Sequence, residues 1–301
     1  MVMMRTVRAA VLAALSAVLV AWPAQAATTP LAAPPPAAAL SVELCPPEGP
    51  VVPGETGTLE VRVTNNGPAA TGDTTQVVVH FPAPGVVQSA DPPVDLTYFG
   101  TGSSYLIPAG LAPGATSVER LALYVAPITY SGETISGDVQ AFYAGDPDQS
   151  GHTTPYSLVT GDTKAHFTVG ASSAIVGGKP VPQPGDLEGK PGATIELPLW
   201  VYNNGPSYSR HPVDFLITVP ERTTLTGTTP IGCTATGPRT LACHFSEGPR
   251  YHNTIYVFPS VVIDPAAVAG QVLTGGTLDV SGQEDPNPSP DHHADFAVTV
   301  T

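Results

Sequence analysis

Shifted so that Pro53 falls on Pro191, this chain aligns with itself without a gap. Residues 53–82 read PGETGTLEVRVTNNGPAATGDTTQVVVHFP, and residues 191–220 read PGATIELPLWVYNNGPSYSRHPVDFLITVP. Pro53, Gly54, Thr56, Leu59, Val63, Asn65, Asn66, Gly67, Pro68 and Pro82 all meet identical residues. The likeness resumes late in each unit, where residues 137–147 resemble 276–286 and residues 166–169 resemble 295–298. A repeat of this length means that one unit folds twice, each copy burying a core of its own. Each unit is about 130 residues, an ordinary domain size, and the expected domains are residues 41–170 and 171–301.

The repeated block has the physics of two strands around a turn. Leu59, Val61 and Val63 alternate with Glu60 and Arg62, a period of two with one buried face. Asn65-Asn66-Gly67-Pro68 then stops the strand, because Asn and Gly accept positive φ and Pro cannot donate to a ladder. Val77, Val79 and Phe81 open the next strand. The second copy repeats this with Ile195, Leu197, Leu199 and Val201, the turn Asn203-Asn204-Gly205-Pro206, and then Phe215, Ile217 and Val219. Further strands are expected over residues 104–108, 118–126 and 134–143, and over 240–245, 254–263, 272–281 and 294–300. With Pro at 35 and Gly at 30 of 301 residues, a mostly helical fold is excluded. Short strands with turn signals at this spacing indicate an all-β protein of two tandem immunoglobulin-like β-sandwich domains.

The beginning of the chain reads as an address. Arg5 and Arg8 precede an apolar run from Ala9 to Trp22, and Ala24-Gln25-Ala26 is a small-x-small cleavage site. This is the order of a secretory signal peptide over residues 1–26, with cleavage expected after Ala26. The run is too short to span a bilayer comfortably, and no second apolar stretch of spanning length follows, so no transmembrane segment is expected in the mature chain. Residues 27–40 are Ala/Pro-rich, with Pro34-Pro35-Pro36 favouring extended polyproline geometry, and read as a disordered leader. The expected localisation is extracellular. The net charge of −14, and only three lysines, argue against a sequence-independent grip on nucleic acid.

These motifs carry a resemblance. P-G-x-T, then V-x-N-N-G-P, a later Cys pair and a closing D-P-N-P-S-P-D before V-T-V resemble the eleventh domain-of-unknown-function family. That family is an immunoglobulin-like repeat of secreted and surface bacterial proteins. The second unit resembles it over nearly its full length. The first resembles it well to Pro82 and loosely beyond, without the inner cysteine pair and with about ten extra residues before Phe167. The resemblance implies structural, spacer or adhesive roles outside the cell and brings no catalytic residues with it.

Cys233 and Cys243 flank Thr236-Gly237-Pro238-Arg239, a turn signal that sets them across a hairpin. In an oxidising compartment a disulfide is expected between them, worth roughly 2–3 kcal/mol in the loop-entropy account. Cys45 is left over, either an intermolecular bridge or a small apolar residue on the first strand. The acidic loops are the candidate metal sites. Asp146, Asp148 and Ser150 stand as D-x-D-x-S-G, like the opening of an oxygen-rich calcium loop, though Ser157 occupies the position of the closing carboxylate. Asp285, Asn287 and Asp291 stand at the matching place in the second unit. Calcium is therefore the one candidate cofactor, against a plain Asp-Pro turn capped by side-chain oxygens. His292 and His293 point to opposite faces of a strand, which suits one ion poorly, and the other histidines lack ligand spacing.

No G-x-S-x-G, H-E-x-x-H, S-x-x-K or Walker signature occurs. Trp200, Tyr202 and Tyr208 cluster around the second turn, where they either pack or offer a platform for sugar rings. The expectation is a non-enzymatic, secreted structural or adhesion-type protein whose partner is an extracellular protein. The alternative is a glycan- or cell-wall-binding accessory module, calcium-assisted where the acidic loops hold the ion, whose partner is a cell-wall polysaccharide.

Overall fold

The computed structural model describes residues 37–81, 85–91, 95–146, 148, 150–176, 179–181, 183, 185–285 and 289–301. The expected signal peptide, residues 27–36 of the leader, Pro82 and Asn287 lie outside the described residues. The leader's end is corrected, since Ala38 is buried and Leu40 already opens the first strand of the sandwich. Two tandem β-sandwiches follow one another, as the alternating patterns require. The first holds β1 (Leu40–Cys45), β2 (Thr56–Asn65), β3 (Thr75–His80), β4 (Gly85–Asp91), β5 (Thr97–Phe99), β6 (Gly102–Ile107), β7 (Thr116–Val125), β8 (Thr134–Phe142) and β9 (Thr153–Val159). Its two sheets have the orders β1-β2-β7-β4 and β5-β6-β3-β8-β9. Leu59, Val61, Val63, Val77, Val79, Leu121, Leu123 and Val125 meet between them in one core.

The second sandwich holds β10 (Phe167–Ala171), the hairpin β11 (Ala174–Val176) and β12 (Lys179–Val181), β13 (Glu188–Gly189), β14 (Thr194–Glu196), β15 (Leu199–Asn203) and β16 (Val213–Thr218). It continues with β17 (Thr223–Leu225), β18 (Cys233–Ala235), β19 (Thr240–Phe245), β20 (Thr254–Val257), β21 (Ser260–Ile263), β22 (Val272–Gly282) and β23 (His293–Val300). One wall is the six-stranded sheet β13-β23-β22-β16-β19-β18. The other wall is broken into β10-β15-β20 and β14-β21-β17. Pro198 and Pro259 sit at the breaks, where neither can donate a ladder hydrogen bond. The strand expected over residues 254–263 is thereby divided in two.

The spacing of the repeat carries through most of the fold. β2, β3, β6 and β7 stand 138 positions before β14–β15, β16, β19 and β20–β21, with the same pairings; Thr75 faces Ile107 as Val213 faces Phe245. The first and last strands depart from it. β1 pairs with β2, Leu40 opposite Asn65, as β10 pairs with β15, Phe167 opposite Asn203. β9 pairs with β8, Val159 opposite Thr134, as β23 pairs with β22, Thr299 opposite Val272.

This corrects the boundary expected between residues 170 and 171. Strand 167–171 opens the second sandwich rather than closing the first, because Phe167 and Ala165 are buried in the second core. The changeover falls in residues 160–164. That connection is itself packed, with Gly161 N donating to Val51 O at 2.9 Å and Thr163 buried.

Candidate functional site

Two constructions repeat in both sandwiches, each built from residues the sequence singled out, and a third joins the sandwiches. The first is the Asn-Asn-Gly-Pro turn. Asn65 is wholly buried; its Oδ1 accepts from Ala39 N and Gly67 N, and its Nδ2 donates to Ala69 O and Leu111 O. Asn203 makes the same four bonds, to His166 N, Gly205 N, Ser207 O and Pro249 O. Asn66 and Asn204 reach back to Ser41 Oγ and Thr168 Oγ1. A buried amide with four partners satisfies backbone groups that would otherwise be stranded where the strand ends. The turn is a clamp that ties the first strand of each sandwich to its second.

The second construction is the acidic loop. Asp146 Oδ2 accepts from Leu40 N at 2.6 Å and lies 2.7 Å from His152 Nε2, while Oδ1 accepts from Asp148 N. Asp285 Oδ2 accepts from Phe167 N at 2.7 Å and lies 2.7 Å from His292 Nε2. Burial pushes the Asp146 carboxyl up, but the Leu40 N–H, His152 and the Asp148 N–H together hold it below the ordinary carboxylate value. Asp148 in turn accepts from Ser150 N, and Asp291 lies 3.5 Å from the ring of His166. The carboxylates thus face backbone N–H groups and imidazoles. Among the described residues no three His, Cys, Asp or Glu side chains converge as a metal site. His152 and His292 carry no role in the sequence pattern; only their similar distances from an Asp-Pro, six and seven residues, could have signalled one.

The third construction joins the sandwiches. The turn of the second sandwich lies against the first, at Pro53-Gly54 and the turn after β7. Ser207 Oγ donates to Pro53 O at 2.6 Å, Tyr208 N to Pro127 O at 3.0 Å, and Arg210 Nη2 to Ile128 O at 2.7 Å. The Arg210 guanidinium stacks 4.4 Å above the Tyr130 ring, with Tyr208 5.6 Å away on another side. Glu284 fixes the loop from behind by accepting from Arg210 N, His211 N and Thr163 Oγ1. Gly54, with a left-handed φ of 86°, has no room for a side chain, since a Cβ would stand 2.0 Å from Pro206 O.

Cys233 and Cys243 face each other on β18 and β19 and are disulfide-bonded. Cys45 is free and half-buried on the outward side of β1. The aromatic cluster is divided. Trp200 is buried against Gly170 and donates from Nε1 to Ser172 Oγ at 3.2 Å. Tyr208 belongs to the junction. Tyr256 and Phe258 remain exposed, their rings nearly parallel with centroids 5.7 Å apart. On the outer face of the six-stranded sheet, Asp214 with His244 and Asp279 with His293 form cross-strand pairs at 2.7 Å beside a groove of 560 Å³. The Asp279 hydrogen bond holds the exposed His293 ring above its ordinary pKa.

No family model matches the chain, and no curated relative does. Among solved structures, the chain is similar to the Enterococcus faecalis MSCRAMM ACE, described as binding its ligands by the collagen hug model. The two are 8% identical, the match covering 88% of this chain and 95% of that one with a TM-score of 0.30. It is also similar to a 35 kDa C-terminal fragment of the major pilin GBS80 of Streptococcus agalactiae. There the identity is 10%, the coverage 87% and 91%, and the TM-score 0.31. Superpositions this loose carry neither a ligand nor an assembly from those proteins to this one. Among the described residues no helix is long and apolar enough to cross a membrane.

Proposed function

We propose that this chain is a non-catalytic, secreted scaffold or adhesion-type protein of the cell envelope or exterior, whose two sandwiches act as one spacer. The observation that carries this reading is the junction. The repeat's own turn is spent on joining the domains, through three hydrogen bonds and an Arg210–Tyr130 stack. A docked pair holds two ends at a set separation, which a spacer needs. The aspartates and histidines that would make the best catalytic or metal candidates are taken up in fastening the first strand of each sandwich. The sequence likeness to an immunoglobulin-like repeat of secreted proteins, and the expected signal peptide, agree with an exterior role and remain part of the proposal.

A second reading rests on a different observation. The exposed, near-parallel rings of Tyr256 and Phe258 suit stacking on sugar faces, so binding of a cell-wall polysaccharide is the alternative. The two readings separate in a retention assay of the protein on insoluble cell wall, chitin and cellulose, with calcium or with EDTA. The scaffold reading expects no retention on any polymer. Retention that disappears in Tyr256→Ala/Phe258→Ala, without loss of folding, would replace it with the glycan reading, and loss in EDTA would add calcium to it.

A further inference from the structure

Each sandwich has a turn end and a receiving end, and the chain joins only one pair of them. The receiving ends are built alike. In the first sandwich Gly54 N donates to Val125 O and Thr129 N to Ala126 O; in the second, Gly192 N donates to Ile263 O and Ala267 N to Asp264 O. Gly54 and Gly192 share a left-handed φ, 86° and 76°. Pro127 and Pro265 hold the same place in the turn that follows.

The joined and unjoined ends differ in what covers them. Pro53 is buried, Pro127 half-buried and Ser207 buried. Their counterparts Pro191 and Pro265 are exposed and Ala69 is half-buried, with Pro68 and Ala70 open to solvent. Val268, where the first sandwich has Tyr130, is 67% exposed against 60% for Tyr130, so this position is open at both ends. A Cβ at Gly192 would meet only the Pro265 ring, at 3.8 Å, so the space that Pro206 O fills over Gly54 is open here.

We propose that the receiving end of the second sandwich, around Pro191-Gly192 and Pro265–Val268, docks the Asn65–Gly72 turn of a second copy of this chain. The occupant follows from the one such contact already made within the molecule. Both bare surfaces are small, apolar and uncharged at their centres: Pro68, Ala69 and Ala70 on one, and Pro191, Pro265, Ala266 and Val268 on the other. The main-chain bond from Tyr208 N to Pro127 O has its match in Ala70 N and Pro265 O. The side-chain contacts do not. Ala69, Ala70 and Gly72 stand where Ser207, Tyr208 and Arg210 make the inner junction, so this contact is weaker than the inner one. Because the turn end and the receiving end are different surfaces, the association is head-to-tail and leaves one of each unused, which builds open chains rather than closed dimers. This does not depend on what the protein binds or whether it acts as a spacer.

The test is sedimentation velocity of the purified protein in a Cys45→Ser background, from micromolar to millimolar concentration, so that Cys45 bridges do not count and the Cys233–Cys243 disulfide stays closed. The weight-average mass rises with concentration. Ala70→Glu alone and Val268→Glu alone, both at exposed positions, each abolish the rise. Mixing the two variants restores a dimer and nothing larger, because only one good turn end meets one good receiving end. Ala69→Ser/Ala70→Tyr, which copies the inner junction, tightens association about tenfold. A mass independent of concentration in both the native protein and the Ala69→Ser/Ala70→Tyr variant overturns the proposal. So does association that survives both Glu substitutions.

Discussion

The two sandwiches share pairings, clamps and register, yet they solve the inside of the first one differently. In the first, Thr75 Oγ1, Ser103 Oγ, Tyr105 OH and Glu119 Oε2 are buried with no hydrogen-bond partner among the described residues. At the matching places the second has Val213, Leu241, Cys243 and Val257, all buried and apolar, with Cys243 closing the disulfide. A buried polar atom without a partner costs roughly 1–3 kcal/mol, so the same architecture is under more strain of polarity in the first copy. Burial pushes both the Tyr105 hydroxyl and the Glu119 carboxyl above their ordinary pKa values, with Glu119 adding to the effect at Tyr105. One topology can therefore hold two cores of unequal polarity.

The largest break in this symmetry comes from the clamp. Asn65→Ala and Asn203→Ala each remove four hydrogen bonds and strand buried backbone groups, an expected loss of about 3–5 kcal/mol in the affected sandwich by urea unfolding. Asn203→Ala also loosens the junction, so it uncouples the two unfolding transitions where Asn65→Ala does not. Equal effects on coupling would show that the turn does not join the domains. Next in size, Cys233→Ala/Cys243→Ala lowers the second transition by roughly 2–3 kcal/mol and leaves the first in place.

The cores can then be made more alike. Tyr105→Phe/Glu119→Val brings the first core toward the second and raises the first transition by about 1–2 kcal/mol. The pH dependence has a definite sign. Glu119 titrates above the ordinary value when folded, so the first sandwich gains stability as pH falls through that range and loses it as the carboxyl ionises. Glu119→Val removes that slope. Asp146 does the opposite: it is held below the ordinary value, so its contribution is present above the unfolded pKa and is lost as pH falls through the folded one. Asp146→Asn removes this acid-side loss. The smallest expected effect is that of a chelator. With the Asp146 carboxylate engaged by Leu40 N, His152 and Asp148 N, EDTA leaves both melting temperatures unchanged. A fall in either would put calcium in these loops.

Much of the fold was legible because strands with one buried face announce themselves at period two. Leu59-Val61-Val63 and Phe215-Ile217-Val219 did so, the Asn-Asn-Gly-Pro turns marked where strands stop, and the Cys233–Cys243 hairpin followed from its central turn. The boundary was misread for a physical reason. Phe167-Thr168-Val169 looks like Phe296-Ala297-Val298 because the two strands carry the same alternation, and only pairing distinguishes them. Strand identity at a domain junction is a long-range property that no local pattern carries. The Asp146–His152 and Asp285–His292 pairs were hidden likewise, since a titratable pair is read most readily as chemistry when it serves as a fastening. The junction left one usable trace. Ser207, Tyr208 and Arg210 are where the second copy departs from Ala69, Ala70 and Gly72, and a repeat that keeps its turn but changes the residues just after it is changing what that turn touches.

The central claim is that the repeat turn docks the second sandwich on the first, so that the two move together. Backbone 15N relaxation in solution tests it most directly. Docked sandwiches give one rotational correlation time for amides of both domains, and Ser207→Ala/Arg210→Ala splits it in two. Two distinct, shorter correlation times in the native protein would contradict the account, since the sandwiches would then be tethered by residues 160–164 alone.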